Sequence, residues 1–255
     1  MIKRRAAVTG ASSGIGRAIA LEFAARDFDL LLTARDEEAL DRVAAECRAR
    51  GGEAAVFAAD LADAAAVEAL AMALPGVDIL VNNAGFGVKG DFLQTPLEDE
   101  LKMLDVQLSA MLRLTKAVLP EMVGKGGGRI LNIASVYSYS PVPKQSVYSA
   151  SKAFILSFSS ALNEEVKGKG VTVTVVLPGI TRTGFRSRAG IADKKDSGMT
   201  AEAVARIAVD AALKGSHIVV PGSQNKLFVF LARHLPQSLM ARVVTFINNR
   251  RGVNK

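Results

Sequence analysis

Short apolar runs alternate along this chain with longer segments of helical periodicity, and this alternation constrains the fold more than any other feature. The runs are almost continuously apolar, which is typical of strands that helices cover on both faces. Repeated strand–helix units of this kind predict an α/β fold with a parallel sheet between two layers of helices. Seven strands are predicted, over Arg5–Thr9, Phe28–Ala34, Ala54–Ala58, Val77–Asn82, Arg129–Ala134, Val171–Leu177 and Ser216–Val220.

The segments between these strands are predicted to form helices over Gly14–Arg26, Asp36–Arg50, Asp63–Leu74, Leu97–Val123, Ser146–Lys167 and Ala201–Leu213. A chain of 255 residues fits one large α/β domain better than two small ones. We predict a main domain over residues 1–224 and a helical tail over residues 225–255 that packs on the same domain.

The predicted tail contains two apolar clusters, Leu227–Ala232 and Leu239–Ile247, which Pro236 separates. A basic amphipathic segment of this kind docks on the body of its own protein, contacts another subunit, or lies on a membrane surface. We favour docking or self-association over membrane contact, and the sequence leaves all three alternatives open.

The composition argues against a nucleic-acid partner. The formal net charge is +7, but the basic residues are scattered and form no block interleaved with aromatic residues. Tryptophan is absent and aromatic residues make up only 5% of the chain, so a base-stacking platform is not expected. We interpret the excess charge as partly serving an anionic cofactor.

Cysteine usage and hydropathy favour a cytoplasmic protein. Cys47 is the only cysteine, so no internal disulfide can form. The apolar run after the basic first residues is too short for a secretory signal. No apolar run reaches the roughly 18 residues that a membrane span requires.

The segment Thr9–Gly16 follows the first predicted strand and opens the first helix. Glycines here allow a sharp turn and a close approach to a pyrophosphate, which the N-terminal end of the helix attracts. The strand–turn–helix context makes this a predicted dinucleotide site, although a glycine pattern alone is weak evidence. The predicted contact residues are Gly10, Ser12, Ser13, Gly14, Ile15 and Gly16.

The end of the second predicted strand indicates which dinucleotide is preferred. A protein that binds NAD usually places a carboxylate there for the ribose hydroxyl, but this chain has Ala34. The neighbouring Arg35 has a planar guanidinium that can pair with a 2′-phosphate. Asp36 is interpreted as the N-cap of the next helix. NADP(H) is therefore the predicted cofactor.

Tyr148 and Lys152 are four residues apart in a predicted helix, which places them on one face, one turn apart. A phenol ionises near pH ~10, and a neighbouring ammonium favours the phenolate. Such a pair is often only a solvated helix face. Here Ser135 ends a strand thirteen residues before Tyr148, where strand ends meet ligands, so a proton-transfer site is predicted.

Other catalytic chemistries find little support in the sequence. His217 and His234 are the only histidines, and neither lies in the context of a nucleophile elbow. No group of residues has the spacing of metal ligands, so no metal site is predicted.

Taken together, these motifs resemble the short-chain dehydrogenase/reductase family, over about Arg5 to Gly222. The resemblance rests on Thr9–Gly16, Asp60-Leu61, Asn82-Asn83-Ala84-Gly85, Ser135, Tyr148 through Lys152, and Pro178-Gly179 with Thr183. It implies a single Rossmann-like, doubly wound parallel sheet and a homodimer or homotetramer.

The resemblance also implies a role for each site residue. Tyr148 would be the general acid in reduction, Lys152 would lower its pKa and hold the nicotinamide ribose, and Ser135 would orient the carbonyl. Asp60 and Leu61 would flank the adenine, with Asn83, Ala84 and Gly85 supporting the adenosine side. Ile180 and Thr183, after Pro178 and Gly179, would position the carboxamide.

One position departs from the family pattern. The family usually has an asparagine in the long predicted helix, where it helps to hold a water molecule for the proton relay, and this chain has Gln107. Glutamine keeps the amide but adds a methylene, so we expect the relay to be rearranged and activity to survive.

The predicted function is an NADP(H)-dependent carbonyl reductase or alcohol dehydrogenase for a mostly apolar ketone or secondary alcohol. Tyr137, Tyr139, Val142 and the basic Gly179–Met199 loop are expected to line the substrate pocket, with small ketones, steroid-like and 3-oxoacyl compounds all open. The alternative from another class is a non-catalytic dinucleotide sensor or scaffold on the same fold.

Overall fold

The computed structural model describes residues 3–191 and 198–250 and is built on a parallel sheet. The strands of this sheet are β1 (Arg5–Thr9), β2 (Asp29–Ala34), β3 (Ala54–Ala58), β4 (Ile79–Asn82), β5 (Gly128–Ile133), β6 (Val171–Val176) and β9 (Ile218–Val219). They lie in the order β3–β2–β1–β4–β5–β6–β9, and each pairs with its neighbours in parallel. The predicted α/β fold with seven parallel strands is confirmed.

Helices cover both faces of this sheet, because its strands alternate apolar side chains between the faces. Ala6 and Val8 pack with one layer, whereas Ala7 packs with the other. The helices are α1 (Gly14–Ala24), α2 (Glu37–Arg48), α3 (Ala64–Met72), α4 (Leu97–Leu104), α5 (Ala110–Gly124), α6 (Ser146–Glu165), α7 (Phe185–Arg188), α8 (Ala201–Lys214), α9 (Ser223–His234) and α10 (Gln237–Arg250). The single cysteine, Cys47, is fully buried in the first layer, where burial raises the pKa of its thiol to about 11.

Two elements differ from the sequence-based prediction. The long helix predicted over Leu97–Val123 is interrupted by a π-helical turn at Asp105–Ser109, because an extra residue is accommodated between α4 and α5. The last strand is shorter than the predicted Ser216–Val220, because β9 is an edge strand that pairs with β6 through Ile218 and Val219 only.

The loop predicted after β6 has its own short structure. Strand β7 (Thr181–Arg182) pairs in parallel with β8 (Met199–Thr200), and α7 lies between them. Lys194 and Lys195, two of the basic residues of this predicted loop, lie outside the described residues. The pairing of β7 with β8 therefore joins the two ends of the loop, and α7 lies near the ends of the central strands.

The tail helices, defined here as α9 and α10, dock on the body of the protein. Their inner side chains, which include Val229, Ala232, Met240 and Val244, are buried. Most of these pack with Val142. The turn between the helices contains Pro236, as predicted. Helix α9 begins at Ser223, just before the predicted boundary. The division of the chain into a main domain and a tail after residue 224 remains a prediction.

The outer faces of these tail helices carry exposed apolar side chains, at Leu227, Phe230 and Phe246. Among the described residues, no helix combines the length and the apolar character that crossing a membrane would demand.

Candidate active site

A large cleft lies at the edge of the sheet where the carboxyl ends of the strands meet. Strand order reverses between β1 and β4, and ligands of open α/β sheets bind in the crevice at such a switch point. The cleft has a volume of about 1610 Å³ and is lined from the ends of β1 to β6 and from the tail helices. Of the residues predicted to bind the cofactor or take part in catalysis, all except Gly16 and Gln107 line it.

The turn between β1 and α1 can form only with glycines. Gly10 and Gly14 have positive φ angles of +65° and +56°. A side chain at Gly16 would place its Cβ 2.2 Å from the carbonyl oxygen of Gly10, and one at Gly10 would lie 2.8 Å from the Cα of Ala84. The backbone of this turn is therefore packed closely against the loop after β4.

The start of α1 fits a phosphate group. Ser13 is the N-cap residue, but its side chain does not bond to the first turn of the helix. In contrast, Asp36, Asp63 and Thr200 cap α2, α3 and α8 with their side chains. The free amide donors of α1 open into the cleft beside Ser12 and Gly14, and such donors bind pyrophosphate oxygens. These residues fit a dinucleotide.

Arg35 follows β2 at the rim of the cleft. Its side chain is exposed, and among the described residues its guanidinium makes no hydrogen bond or ion pair. The carboxylate of Asp36 accepts a hydrogen bond from the Ala39 amide at 2.9 Å, which confirms the predicted N-cap. The carboxylate nearest to this strand end is therefore engaged in capping α2.

Asp60 and Leu61 follow β3. The Asp60 carboxylate accepts a hydrogen bond from the Ala62 amide at 3.1 Å and forms an ion pair with Lys102 at 3.2 Å. Partial burial opposes ionisation of Asp60, but these two contacts hold its pKa below the usual range. Leu61 is buried and forms an apolar surface beside this carboxylate.

Asn83 connects two strand ends. Its carboxamide donates hydrogen bonds to the carbonyl oxygens of Thr9 at 2.9 Å and Gly10 at 3.2 Å. The Thr9 hydroxyl accepts hydrogen bonds from the amides of Asn83 and Ala84 at 3.0 and 3.1 Å. Asn83 thus fixes the glycine turn, which is a positioning contact, and Ala84 and Gly85 line the cleft beside it.

Sequence reasoning missed a buried polar network beneath this site. Asn82 donates to Asn132 at 2.9 Å and to Thr115 at 3.3 Å. Asn132 in turn donates to Ser159 at 2.9 Å. These hydrogen bonds tie β4, β5, α5 and α6 together beneath the cleft, and only the Asn82 side-chain oxygen has no partner within the described part of the network. The available signal was the polar Asn132 inside the otherwise apolar strand β5.

Ser135 and Tyr148 meet at the centre of the cleft. Ser135 begins a short 3₁₀-helix, Val136–Tyr139, and its hydroxyl accepts a hydrogen bond from the Tyr137 amide at 3.2 Å. Tyr148 lies in the first turn of α6 with only 8% of its surface exposed. Burial raises the pKa of the Tyr148 phenol above its usual range, and the neighbouring Ser135 hydroxyl partly offsets that effect.

Lys152 lies one helical turn beyond Tyr148, as predicted. Its ammonium donates a hydrogen bond to the Ile133 carbonyl at 3.3 Å and lies 5.6 Å from the centre of the Tyr148 ring. Burial of the ammonium lowers the pKa of Lys152 to about 7. Desolvation thus favours the neutral form of both side chains.

Gln107 lies in the π-helical turn and is almost completely buried. Its carboxamide donates to the Phe86 carbonyl at 3.1 Å, and its side-chain oxygen has no partner within the described part of the chain. A Cβ at Gly85 would lie 3.1 Å from the Gln107 Cγ. Gln107 therefore supports the loop after β4 from behind and does not itself line the cleft.

The segment after β6 borders the cleft and contacts both the Ser135 region and the glycine turn. The Pro178 carbonyl accepts a hydrogen bond from the Val136 amide at 3.0 Å, which ties it to the Ser135 region. Gly179 lies against Asn225, since a Cβ there would approach the Asn225 side-chain oxygen to 2.1 Å. Thr183 packs against Gly14, whose added Cβ would lie 3.1 Å from its methyl group.

The substrate side of the cleft contains residues that sequence reasoning missed. The Phe185 ring of α7 lies 5.8 Å from the Tyr148 ring. The tail helices add a wall of four side chains: Phe228, Val244, Ile247 and Asn248. Tyr137 lines the cleft as expected, but Tyr139 and Val142 instead pack beneath the tail. The amphipathic pattern of the tail indicated a buried face without indicating what it covers.

Neither histidine lines this cleft, and within residues 3–191 and 198–250 no group of His, Cys, Asp and Glu side chains could hold a metal ion. The site therefore offers a phenol, an ammonium and a hydroxyl for chemistry beside a place for a dinucleotide.

Known proteins resemble the chain over most of its length. The model of the short chain dehydrogenase family matches residues 4–193. The protein named "Probable oxidoreductase EphD" from Mycobacterium tuberculosis is 41% identical over 188 residues. That match covers 72% of this chain but only 32% of EphD, so the chain spans about a third of that relative.

Two solved structures superpose on the chain nearly end to end. A short-chain dehydrogenase from Sphingobium yanoikuyae in complex with NADPH has a TM-score of 0.83 and 34% identity, with 98% of this chain and 94% of that chain covered. A short-chain dehydrogenase/reductase from Burkholderia phymatum in complex with NAD has a TM-score of 0.82 and 25% identity, with 91% and 94% covered. The architecture of the cleft, the matching family model and these neighbours lead to the same conclusion, that the chain belongs to the short-chain dehydrogenase/reductase family of oxidoreductases.

Proposed function

We propose that this protein is an NADP(H)-dependent carbonyl reductase or alcohol dehydrogenase that acts on a mostly apolar ketone or secondary alcohol. The observation that carries the proposal is the burial of Ser135, Tyr148 and Lys152 together on one wall of a dinucleotide-sized cleft. A buried proton donor beside a buried cation has no evident structural purpose, since each would be more stable in water.

The proposed chemistry assigns one task to each of these side chains. The Ser135 hydroxyl binds and orients the carbonyl oxygen of the substrate. Tyr148 donates its proton to that oxygen in reduction, and its raised pKa keeps the phenol protonated at neutral pH until the oxygen gains charge. A nicotinamide dinucleotide, when bound, supplies the hydride. Lys152, in its ammonium form, stabilises the resulting phenolate electrostatically.

The proposed preference for NADP(H) over NAD(H) rests on the end of β2. Arg35 is free to pair with a 2′-phosphate, and no carboxylate occupies position 34 to bind a ribose hydroxyl. The carboxylate of Asp36 is engaged in capping α2. A bidentate guanidinium–phosphate pair is worth more than a neutral hydrogen bond.

The proposed ketone is mostly apolar because apolar side chains dominate the substrate side of the cleft, at Tyr137, Phe185, Phe228, Val244 and Ile247.

The residue at the relay position in this proposal is Gln107. Its hydrogen bond to the Phe86 carbonyl holds the loop after β4, so Gln107 contributes by positioning that loop. A working relay is contradicted if Gln107→Asn raises kcat by orders of magnitude.

We further propose a homodimer or homotetramer in the reducing cytoplasm. Exposed apolar side chains on α4 and α6, at Leu97, Leu101 and Phe154, support self-association. The buried single thiol of Cys47 suits a reducing compartment. Light scattering of the purified chain tests the assembly, and a monomer at micromolar concentration would contradict it.

The cofactor assignment is tested by calorimetric titration with NADPH and NADH, repeated on Arg35→Ala. The expected result is tighter binding of NADPH, by about tenfold or more, and loss of that preference in the variant. Lys89→Ala, which removes a cation outside the cleft lining, is the matched control. Equal affinities for both dinucleotides would contradict the NADP(H) assignment, and no binding of either would favour the scaffold alternative.

A further inference from the structure

Two buried carboxamides line the cleft without a hydrogen-bond partner. Gln145 is 6% exposed and Asn248 is 4% exposed, and both border the cavity. Within the described residues, neither side chain donates or accepts a hydrogen bond. Buried side-chain amides are nearly always hydrogen-bonded, because desolvation without a replacement partner is unfavourable.

Each of the other buried or half-buried amides makes at least one side-chain hydrogen bond, although the side-chain oxygens of Asn82 and Gln107 have no partner among the described residues. Asn82 and Asn132 bond to each other, Asn83 bonds to the glycine turn, and Asn163 accepts a hydrogen bond from the Val173 amide. Asn225 likewise donates to the Pro221 carbonyl. The two fully unpartnered amides both border the cleft, so their missing partner is expected to enter from the cavity.

Gln145 lies close to the reacting groups in the chain. It directly precedes α6, three residues before Tyr148, and its amide donates to the Val142 carbonyl. Although Gln145 occupies the N-cap position, its side chain does not bond to the helix. A side chain that could cap the helix is thus left available to the cavity.

Asn248 lies in α10 and lines the cleft together with Val244 and Ile247 of the same helix. It follows Val244 by one turn of α10, so both are on the face that packs inward. Val244 belongs to the cluster that packs against Tyr137, and the Tyr137 ring lies 6.3 Å from that of Phe228. The amide of Tyr137 bonds to Ser135, so Tyr137 connects the reacting centre to the tail wall.

The chemistry of the two side chains defines the group that they can bind. A carboxamide offers both a donor and an acceptor and carries no charge. A neutral hydroxyl satisfies both functions because it donates and accepts, and a neutral carbonyl accepts from the amide nitrogen. A carboxylate would instead place negative charge against the acceptor oxygen. The part of the wall that the tail supplies is apolar at Phe228, Val244 and Ile247, whereas Arg186 and Arg188 of the α7 segment also line the cleft. Against the apolar part, such a group would be an isolated polar point on an otherwise apolar molecule.

We propose that Gln145 and Asn248 bind a second, neutral oxygen function of the ketone substrate, located away from the carbonyl that reacts at Ser135 and Tyr148. This inference rests on the proposed function and narrows its substrate class to hydroxylated or dicarbonyl apolar ketones. Both residues determine specificity, because a site built to hydrogen-bond a hydroxyl discriminates against the analogue that lacks it.

The test uses a matched set of three ketones: a cyclohexanone with a phenyl ring opposite the carbonyl, and the same ketone with a hydroxyl at the meta or para position of that ring. The wild-type protein is expected to prefer at least one hydroxylated ketone by about tenfold in kcat/KM. Asn248→Leu and Gln145→Leu are each expected to reduce that ratio towards one. Asn249→Leu makes the same chemical change on the exposed side of α10 and should keep the wild-type ratio.

Equal kcat/KM for all three ketones in the wild type, or a hydroxyl preference that survives in both cleft variants, would overturn the inference. Thermal unfolding of each variant identifies any loss of folding, and two separate positions keep the test informative if one variant fails. The ratio is the readout because a general structural defect lowers both rates alike.

Calorimetric binding of the same ketones in the presence of NADP⁺ separates this inference from the proposed function. If none of the ketones is reduced, the proposed function fails. Tighter binding of a hydroxylated ketone that is lost in Asn248→Leu would still support the amide site. Equal binding of all three ketones would overturn the inference independently of turnover.

Discussion

The two halves of the cleft are built in different ways. On the dinucleotide side, the glycine turn packs closely against the loop after β4 and against Thr183. An added Cβ would clash at Gly10 and Gly16, and one at Gly14 would force Thr183 to shift. On the substrate side, side chains from separate elements, among them Phe185, Phe228 and Asn248, surround an open cavity. The first half is fixed by backbone geometry, and the second can change with single side chains. One fold can therefore keep its cofactor while its substrate varies.

The largest effect expected from a single substitution is that of Tyr148→Phe, which removes the proton donor and keeps the ring. A positioned acid contributes about 10²–10⁴-fold in rate, so kcat for ketone reduction should fall by about that factor. NADPH affinity should change little, since the phenol serves the substrate half. Steady-state kinetics and calorimetry measure the two quantities.

Tyr139→Phe provides the matched control for this substitution, because Tyr139 packs beneath the tail and does not line the cleft. Its kcat should remain close to that of the wild type. A Tyr148→Phe variant with nearly full activity would mean that another group supplies the proton.

Gly16→Ala should affect the dinucleotide half by about a hundredfold. The added Cβ would lie 2.2 Å from the Gly10 carbonyl oxygen and 2.4 Å from the Asn83 side chain, so the turn or α1 must shift. We expect NADPH affinity to fall by about that factor, because misplaced amide donors lose their alignment with the phosphates. Gly124→Ala, where an added Cβ meets nothing within 4 Å, should leave the affinity unchanged. An unchanged affinity in Gly16→Ala would contradict the assigned phosphate site.

The pH dependence of stability should reveal the buried Lys152. Its pKa falls from 10.5 in the unfolded chain to about 7 in the folded protein, so the unfolded chain binds more protons between these values. Stability of the dinucleotide-free protein should therefore rise with pH from about 7 towards 10, with a slope of up to about 1.4 kcal/mol per pH unit from this residue.

Lys152→Met isolates that contribution, because it keeps much of the side-chain volume and removes the charge. Its free energy of unfolding, from denaturant titrations, should lack the rise that the wild type shows between pH 7 and 9. Parallel curves for the two proteins would show that the Lys152 ammonium is not desolvated. Above pH 10 the raised pKa of Tyr148 acts in the opposite direction, because the unfolded chain then loses a proton that the folded protein keeps.

The smallest expected effect is that of Val244→Ala in the tail. Removing two buried carbons costs about 2 kcal/mol of stability and enlarges the substrate pocket, so KM for the ketone should rise several-fold. NADPH affinity should not change. Val229→Ala makes the same change in the tail without bordering the cleft, and should reduce stability but not KM. Equal KM effects of both variants would mean that the tail acts only by general packing.

The difference between the two halves also explains what the sequence could predict. The roles of Thr9–Gly16 and of the Tyr148–Lys152 pair were recognisable because the residues of each motif lie within a few positions of one another in the sequence. The parallel sheet followed from continuous apolar runs, which local patterns reveal reliably. The sequence placed the glycine turn at the end of a strand and the Tyr148–Lys152 pair on a helix, and the structure brings both to one cleft.

The substrate half was harder to predict because it depends on contacts between distant segments. The amphipathic pattern of α10 marked Val244 as inward-facing but did not indicate that it borders the cleft. The π-helical turn at Asp105–Ser109 was missed because five residues are too few for its period to differ visibly from that of an α-helix. The partners of Asn132 are Asn82 in β4 and Ser159 in α6, two elements that no local pattern connects to β5.

The central claim, that the two halves act together in an oxidoreductase, is tested most directly by product stoichiometry. The purified protein is incubated with NADPH and the phenyl-substituted cyclohexanone or its hydroxylated analogues, and the alcohol formed is quantified against the NADPH consumed. The account predicts one alcohol for each NADPH with at least one of these ketones, and almost no alcohol with Tyr148→Phe. Tight NADPH binding with no alcohol from any of these ketones would contradict it and identify the protein as a dinucleotide-binding scaffold.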